Sequence, residues 1–449
     1  MSFPRYLAYK DSGVEWLGEV PEHWQAVRFS RLISAIKDGT HGTYARVSDG
    51  LPLLSAKNVL DGQLDVGESE SLISESDHEE ITSNGFPRKG DLLLTIVGTL
   101  GRCCVFEQNE PIAFQRSVCF IRLRNDHFPK FFYFVTQSQF FQEQLVGRSK
   151  SAAQAGVYMG DVAGMTVLLP PYNEEQKAIA SFLDRETAKI DALVAEQEQL
   201  ITLLKEKRQA VISHAVTKGL DPSVPMKDSG VEWLGEVPEH WSAVRLKFLA
   251  SDIKAGPFGS ALTKDMYASS GYRVYGQEQV IPGDFSIGDY YIDEATFAQL
   301  AQYATQEGDV LISCVGTFGK IAVVPESAEP GIINPRLIRL RVVDEVSPNY
   351  LAEVLRSTVT FEQFSVLSRG GTMDVINIGT LSDIWVAVPP YSEQQTILGE
   401  LQKLMREFDA LVDEAVLSIE LLRERRSALI SAAVTGQIDV RGLAHQEAA

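Results

Sequence analysis

The chain contains one unit written twice, and that duplication limits what it can fold into more than any other feature. Residues 10–24 read KDSGVEWLGEVPEHW, and residues 227–241 repeat all fifteen letters at an offset of 217. Farther along, Gly90-Asp91-Leu92-Leu93-Leu94 and Val97-Gly98-Thr99-Leu100-Gly101-Arg102 match Gly308-Asp309-Val310-Leu311-Ile312 and Val315-Gly316-Thr317-Phe318-Gly319-Lys320. Pro170-Pro171-Tyr172 matches Pro389-Pro390-Tyr391, and residues 203–217 match residues 421–435. Between these islands the copies diverge: Gly39-Thr40-His41-Gly42-Thr43-Tyr44 stands where the second copy has Gly256-Pro257-Phe258-Gly259-Ser260-Ala261. Unconstrained drift would spread differences evenly. Patchy similarity instead means that the ends of the unit meet the same thing twice, while the middles meet two different things.

At 449 residues the chain exceeds one ordinary core. Its 45% hydrophobic and 22% charged residues are those of a globular protein. No run approaches the ~18 apolar residues of a membrane span, and Arg5 and Lys10 precede no apolar stretch of signal-peptide type, so a cytoplasmic location is expected. Cys103, Cys104, Cys119 and Cys314 lack the separation of a zinc knuckle and read as reduced thiols, with no metal expected. A formal charge of −19 argues against a protein that simply coats nucleic acid, because nonspecific affinity comes from Lys and Arg neutralising phosphates. Any DNA surface must be local.

Pro170-Pro171 and Pro389-Pro390 each precede a helix start, where Asn173 with Gln176 and Ser392 with Gln395 have the spacing of a capping box. After the first, Ile179, Leu183, Ile190, Leu193, Val194, Leu200, Leu203, Leu204 and Val211 recur at three-to-four-residue intervals, and a matching apolar stripe runs from Ile397 to Leu429. A helix over residues 174–216 is about 65 Å long at 1.5 Å per residue. Such a stripe needs a partner, and the other copy's helix is the simplest one. The first helix leads from the first globule to the second repeated box. If both copies share one plan, the second helix ends beside the box at Lys10, and the helices run antiparallel in a circular, pseudo-twofold arrangement. The middle regions carry short β-rich runs at 91–97, 117–123, 310–315 and 337–342, with helical patches at 130–146 and 350–367. The expected fold class is α+β: two globular domains joined by two long antiparallel helices. The expected division is a repeated box at 1–24, a globule at 25–169, a spacer helix at 170–220, the second box at 221–241, a globule at 242–388, a second spacer helix at 389–436 and a tail at 437–449.

No catalytic constellation emerges. Pro-Pro-Tyr resembles part of the catalytic box of amino-methyltransferases, but Leu169 and Val388 stand where that chemistry needs a hydrogen-bond acceptor. Residues 316–320 resemble a phosphate loop only faintly, since Ile321 follows the lysine where Ser or Thr is required. The seven histidines are scattered, and His23 and His240 lie inside the repeated box. A non-catalytic chain without its own cofactor is expected.

Side chains able to reach base edges or phosphates from loops of the first globule are Thr40, His41, Thr43, Lys57, Asn58, Arg102, Gln115, Arg116, Arg148 and Lys150. In the second they are Lys254, Ser260, Thr263, Lys264, Gln277, Lys320, Asn334, Arg336 and Arg369. Arg pairs with guanine and Asn or Gln with adenine in the major groove, while Lys, Thr and Ser commonly hold phosphate. Trp16, Trp24, Trp233 and Trp241 of the boxes either pin the box to its globule or bind a partner.

Taken together, the W-L-G-x-V-P-x-x-W box, the Gly-Pro-Phe-Gly-Ser loop at 256–260, the P-P-x-x-E-Q helix start and the helix ends at 208–218 and 426–436 resemble the type I restriction-modification specificity subunits over essentially all 449 residues. That resemblance implies two target recognition domains, each reading one half of a bipartite site in double-stranded DNA, separated by a helical spacer. It also implies two modification subunits that carry S-adenosylmethionine and methylate adenine, and motor-nuclease restriction subunits that use ATP and magnesium. A self-contained methyltransferase or nuclease, or a coiled-coil scaffold, is the alternative.

Overall fold

The computed structural model describes residues 3–15, 17–67, 70–149, 156–314, 320–367 and 376–443. They form two compact units, one of residues 1–198 and 416–449, the other of residues 199–415. Each unit takes one globule, one repeated box and part of both long helices, which run over Asn173–Lys218 and Tyr391–Val434.

In the first unit an antiparallel sheet orders Ile33–Asp38, Val118–Leu123, Leu92–Thr95 and Cys103–Val105. In the second, Ala250–Ala255, Leu337–Val342, Val310–Ser313 and Ile321–Val323 follow the same order. A smaller sheet joins each: Leu51–Leu54 with Leu72–Ile73 and Ala113–Phe114 in the first unit, and Tyr272–Tyr275 with Tyr291–Ile292 and Gly331–Ile333 in the second. The repeated Gly-Asp motif is structural. Buried Asp91 accepts from Arg88 N at 2.7 Å and pairs with Arg122 at 2.7 Å; buried Asp309 accepts from Gln306 N at 2.9 Å and pairs with Arg341 at 2.8 Å. Each helical patch is two helices, Pro129–Gln137 with Gln139–Arg148 and Pro348–Arg356 with Thr358–Leu367, broken at Ser138 and Ser357, whose hydroxyls accept from Phe141 N and Thr360 N.

The long helices run antiparallel within each unit. In the first, Asp191 meets Arg426 at 2.8 Å and Glu198 meets Arg423 at 3.2 Å, and Ile179, Leu183 and Ile190 share a core with Leu429, Ile430 and Val434. In the second, Arg208 meets Asp409 at 2.6 Å, and Ile212 and Val216 share a core with Ile397 and Leu401. These ion pairs are exposed and contribute ~0–1 kcal/mol each; the buried apolar faces hold the helices. The repeated Ser of the helix ends bonds the globule, as Ser431 Oγ accepts from Gln139 N at 3.1 Å and Ser213 Oγ from Thr358 N at 2.9 Å.

The helix starts differ from the capping-box expectation. The second helix already includes Ser392, and Asn173 Oδ1 is buried without a partner. The Glu-Gln pair does the anchoring instead. Gln176 accepts from Phe128 N at 3.0 Å and Gln394 from Ser347 N at 2.8 Å, each tying its long helix to the start of a globule helix. Glu175 accepts from Trp24 Nε1 at 3.1 Å and Glu393 from Trp241 Nε1 at 3.1 Å. Trp24 and Trp241 are thus fully buried and hold the box to the helix, so they present no surface to a partner; the burial of an indole with its one N–H satisfied corrects the partner-binding expectation for both. Trp233 is half-buried beside the second unit's core, and Trp16 lies outside the described residues.

The second long helix ends beside the first box. Tyr9 Oη donates to Gly436 O at 3.0 Å, and Asp439 N donates to Pro4 O at 2.8 Å. Gly436 adopts a φ of +74°, where a Cβ would also collide with the Pro21 ring, so the glycine is required twice over.

Candidate nucleic-acid interface

The divergent loops of each unit gather at one crossing. Gly39 follows the strand Ile33–Asp38, and a Cβ there would collide with the Phe114 and Gln115 carbonyl oxygens. Gly256 follows Ala250–Ala255, and a Cβ there would collide with Asn334 O. Only glycine lets the two backbones approach this closely. Gly39 N donates to Val118 O at 3.0 Å and Gln115 N to Leu54 O at 2.8 Å; in the second unit Gly256 N donates to Leu337 O at 2.9 Å and Asn334 N to Tyr275 O at 2.8 Å. Four chain segments therefore converge at the same place in each unit.

In the first unit the crossing brings Thr40 beside Gln115 and Arg116, for Thr40 N donates to Phe114 O at 2.7 Å and Arg116 N to Thr40 O at 3.0 Å. His41 follows, with Nε2 2.7 Å from Asp38 Oδ2. Residues 55–58 join through Ser117 Oγ, which accepts from Ala56 N at 3.0 Å. Lys57 is exposed there and pairs with Glu70 at 2.8 Å, a contact that with Asn58 holds the Glu70 carboxyl below its ordinary value. Arg102 stands on the same rim, its N donating to Thr95 Oγ1 at 3.0 Å. Behind Thr40 and His41, Ile81, Ile112, Phe114 and Phe120 floor a pocket of about 220 Å³.

Two of these candidates behave otherwise. Asn58 is 2% exposed, and its amide is used internally: Oδ1 accepts from Ser55 N at 2.9 Å, and Nδ2 donates to Asp65 O at 3.0 Å and Glu70 Oε1 at 2.7 Å. It shapes the turn and offers no edge to solvent. Arg148 ends its helix with Nη1 3.3 Å from Gln144 O, and no described contact joins it to the crossing. Thr43 is exposed in the loop beyond it, and Lys150 lies outside the described residues.

In the second unit Lys254, Asn334, Arg336 and Gln277 lie at the crossing. Asn334 Oδ1 accepts from Arg336 N at 2.9 Å, Arg336 Nη1 stands 3.4 Å from Gln277 Oε1, and Gln277 Nε2 donates to Ser313 Oγ at 2.7 Å. Lys320 is exposed across the strand end, its carbonyl accepting from Ser313 N at 2.9 Å. Ser260 is exposed in the loop that begins at Gly256, whereas Thr263 and Lys264 lead away toward the smaller sheet. Arg369 lies outside the described residues. Among the described residues Arg102, Arg116, Lys254, Lys264, Lys320 and Arg336 form no ion pair. Apart from Lys264, which leads away, these cations stand in their respective units without a carboxylate partner among the described residues, as groups that meet phosphate require. Sequence reasoning missed Ser117, Ser313 and Phe258, the last 69% exposed beside the crossing. Ser117 and Ser313 lie at the edge of a divergent island, whereas Phe258 belongs to the Gly-Pro-Phe-Gly-Ser loop, legible in the sequence as a motif but not as a site residue.

The sequence profile of the type I restriction modification DNA specificity domain matches residues 51–203 and 261–418, more than half of the chain. The specificity subunit of the type I restriction enzyme MjaVIII of Methanocaldococcus jannaschii is 22% identical over 437 residues, covering 94% of this chain and 95% of that one. The EcoKI specificity subunit of Escherichia coli K12 is 21% identical over 449 residues, with 94% and 90% covered. Among solved structures, a chain from work on the complex assembly and conformational transition of the type I R-M system superposes with a TM-score of 0.70 at 17% identity, covering 93% of this chain and 99% of that chain. The HsdS subunit of Thermoanaerobacter tengcongensis superposes with a TM-score of 0.52 at 18% identity, with 93% and 98% covered. With two profile matches, one in each copy of the duplicated unit, the chain belongs to the type I restriction-modification DNA specificity family.

Proposed function

We propose that this chain reads a bipartite site in double-stranded DNA, each unit recognising one half, and that it positions partner subunits which carry out the chemistry. The observation that carries the reading is the crossing itself, built twice on the same glycine and the same backbone bonds but furnished with different side chains: Thr40, His41, Gln115 and Arg116 in one unit, Gln277, Asn334 and Arg336 in the other. Shared scaffolding with unlike tips is what two unlike half-sites demand. Lys and Thr groups position on phosphate; Arg, Asn and Gln groups at the crossings specify bases.

Partner docking follows from what the copies keep. Leu193 and Leu421 in the first unit, and their equivalents Leu411 and Leu203 in the second, are each about half exposed on the long helices. Retaining two solvent-facing leucines at the same place in both units supports a surface used twice, by two copies of one modification subunit. On this reading S-adenosylmethionine, ATP and magnesium belong to the modification and restriction subunits, and this chain is non-catalytic. Methylome sequencing of cells with and without the chain tests the proposal: a bipartite adenine-methylated motif that disappears with the chain is expected. Methylation by the isolated chain, or a methylome indifferent to its loss, overturns it.

A further inference from the structure

The two crossings differ in one pair of side chains whose consequence can be followed to a base. The equivalent of Ser117 in the second unit is Arg336: Ile96 N donates to Ser117 O at 2.9 Å, and Cys314 N to Arg336 O at 3.0 Å. The equivalent of Ala56 is Gln277, each being the second residue of the turn that follows Leu51–Leu54 or Tyr272–Tyr275. In the first unit these positions touch through a short bond, Ala56 N to Ser117 Oγ at 3.0 Å, which leaves no long side chain projecting. In the second, both positions carry long polar groups in series from Ser313 Oγ through Gln277 to Arg336 Nη1.

Resting on the bipartite reading above, we propose that Arg336 is a guanine-reading residue of the second unit, that Gln277 and Ser313 are its positioning residues, and that the first unit has no reader at the equivalent place. Arg336 is exposed, and its backbone is fixed by the bond from its N to Asn334 Oδ1. Guanidinium carries five N–H donors in a planar fork, and the single contact of Nη1 with Gln277 Oε1 biases the position of the side chain while engaging only one of those donors. Guanine presents O6 and N7 as paired acceptors in the major groove, the pattern that such a fork matches. Holding the fork beforehand removes rotamer freedom that a bare surface arginine would lose on binding. Phe258, projecting from the loop that begins at Gly256, supplies an apolar face at the same crossing for a thymine methyl or a base step.

The test uses the assembled complex with wild-type chain, Arg336→Ala, Arg336→Lys, Gln277→Ala and the double variant Arg336→Ser with Gln277→Ala, which installs the first unit's residues. Genomic DNA methylated by each complex is sequenced, and binding to a randomised duplex library is measured at two salt concentrations. Arg336→Ala is expected to relax a guanine preference at one position of one half-site by roughly 5- to 150-fold, leaving the other half-site unchanged. Gln277→Ala should relax the same position less, and Arg336→Lys should not restore it, because a point charge lacks the fork. A uniform fall in affinity with an unchanged motif would mark Arg336 as a phosphate contact and overturn the proposal. So would relaxation in both half-sites. Absence of any bipartite motif with the wild-type complex would instead overturn the functional reading on which this inference rests. Purification of each variant with its partner subunits separates loss of reading from loss of folding.

Discussion

Glu175 shows how much one side chain does at this chain's repeated ends. Its buried carboxylate accepts from Tyr6 Oη at 3.0 Å and Trp24 Nε1 at 3.1 Å, and lies 2.9 Å from His23 Nε2. Burial first, and the carboxylate second, push the Tyr6 phenol well up, so it remains a donor at neutral pH. Glu175→Ala leaves the buried Tyr6 and Trp24 donors without an acceptor, removes the partner of the half-buried His23, and is expected to cost roughly 3 kcal/mol. Glu393→Ala, at a site where the carboxylate is 30% exposed, should cost about 1 kcal/mol. Thermal unfolding of the two variants checks the difference, and equal losses would refute it. Gly39→Ala should displace the 114–116 turn and lower affinity for one half-site; binding to duplexes altered in either half reads this directly. A pH effect follows from His78 and His127, whose imidazoles burial holds below their ordinary value of 6.5. Above that value both states are neutral and stability is unaffected. Below it the unfolded chain takes up protons first, so stability falls on acidification. The unfolding midpoint should therefore drop as the pH falls below 6.5, less steeply in His127→Gln.

At the scale of elements, the proposed bipartite reading makes the long helices the spacer between half-sites. Their contacts in each unit pair one helix's start with the other's end, so a lengthening of one must be matched in the other to keep both cores. Inserting seven residues into each, after Glu198 and after Ala415, keeps the apolar stripe in phase and adds about 10.5 Å. Along B-DNA that distance is about three base pairs. The methylated motif is expected to keep its two half-sites and widen its unread gap by about that amount. An unchanged gap would mean the helices do not act as a ruler.

For the whole molecule, the duplication predicts modularity. Replacing residues 242–388 with the corresponding region of another specificity subunit should change one half of the methylated motif and spare the other; a change in both halves would contradict it. Much of this architecture was legible in the sequence. Apolar residues at three-to-four-residue intervals specify a helix locally, glycine and proline punctuate strands locally, and copy order, given one plan for both copies, brings the second helix back to the first box. The site was less legible. Asn58 looked available and is enclosed, because its burial depends on Glu70 and Asp65 folding back over it. Whether Trp24 and Trp241 pin the box or bind a partner was open in the sequence, because Glu175 and Glu393, which hold them as helix anchors, lie about 150 residues away along the chain. Gly39 meets Phe114, and Gln277 meets Arg336, only across the fold. By itself the sequence determined that one plan is used twice and where the two uses differ, since periodicity and repetition are properties of the chain. Which polar tips converge at a crossing was decided by tertiary structure, because long-range packing brings together residues that no local pattern links.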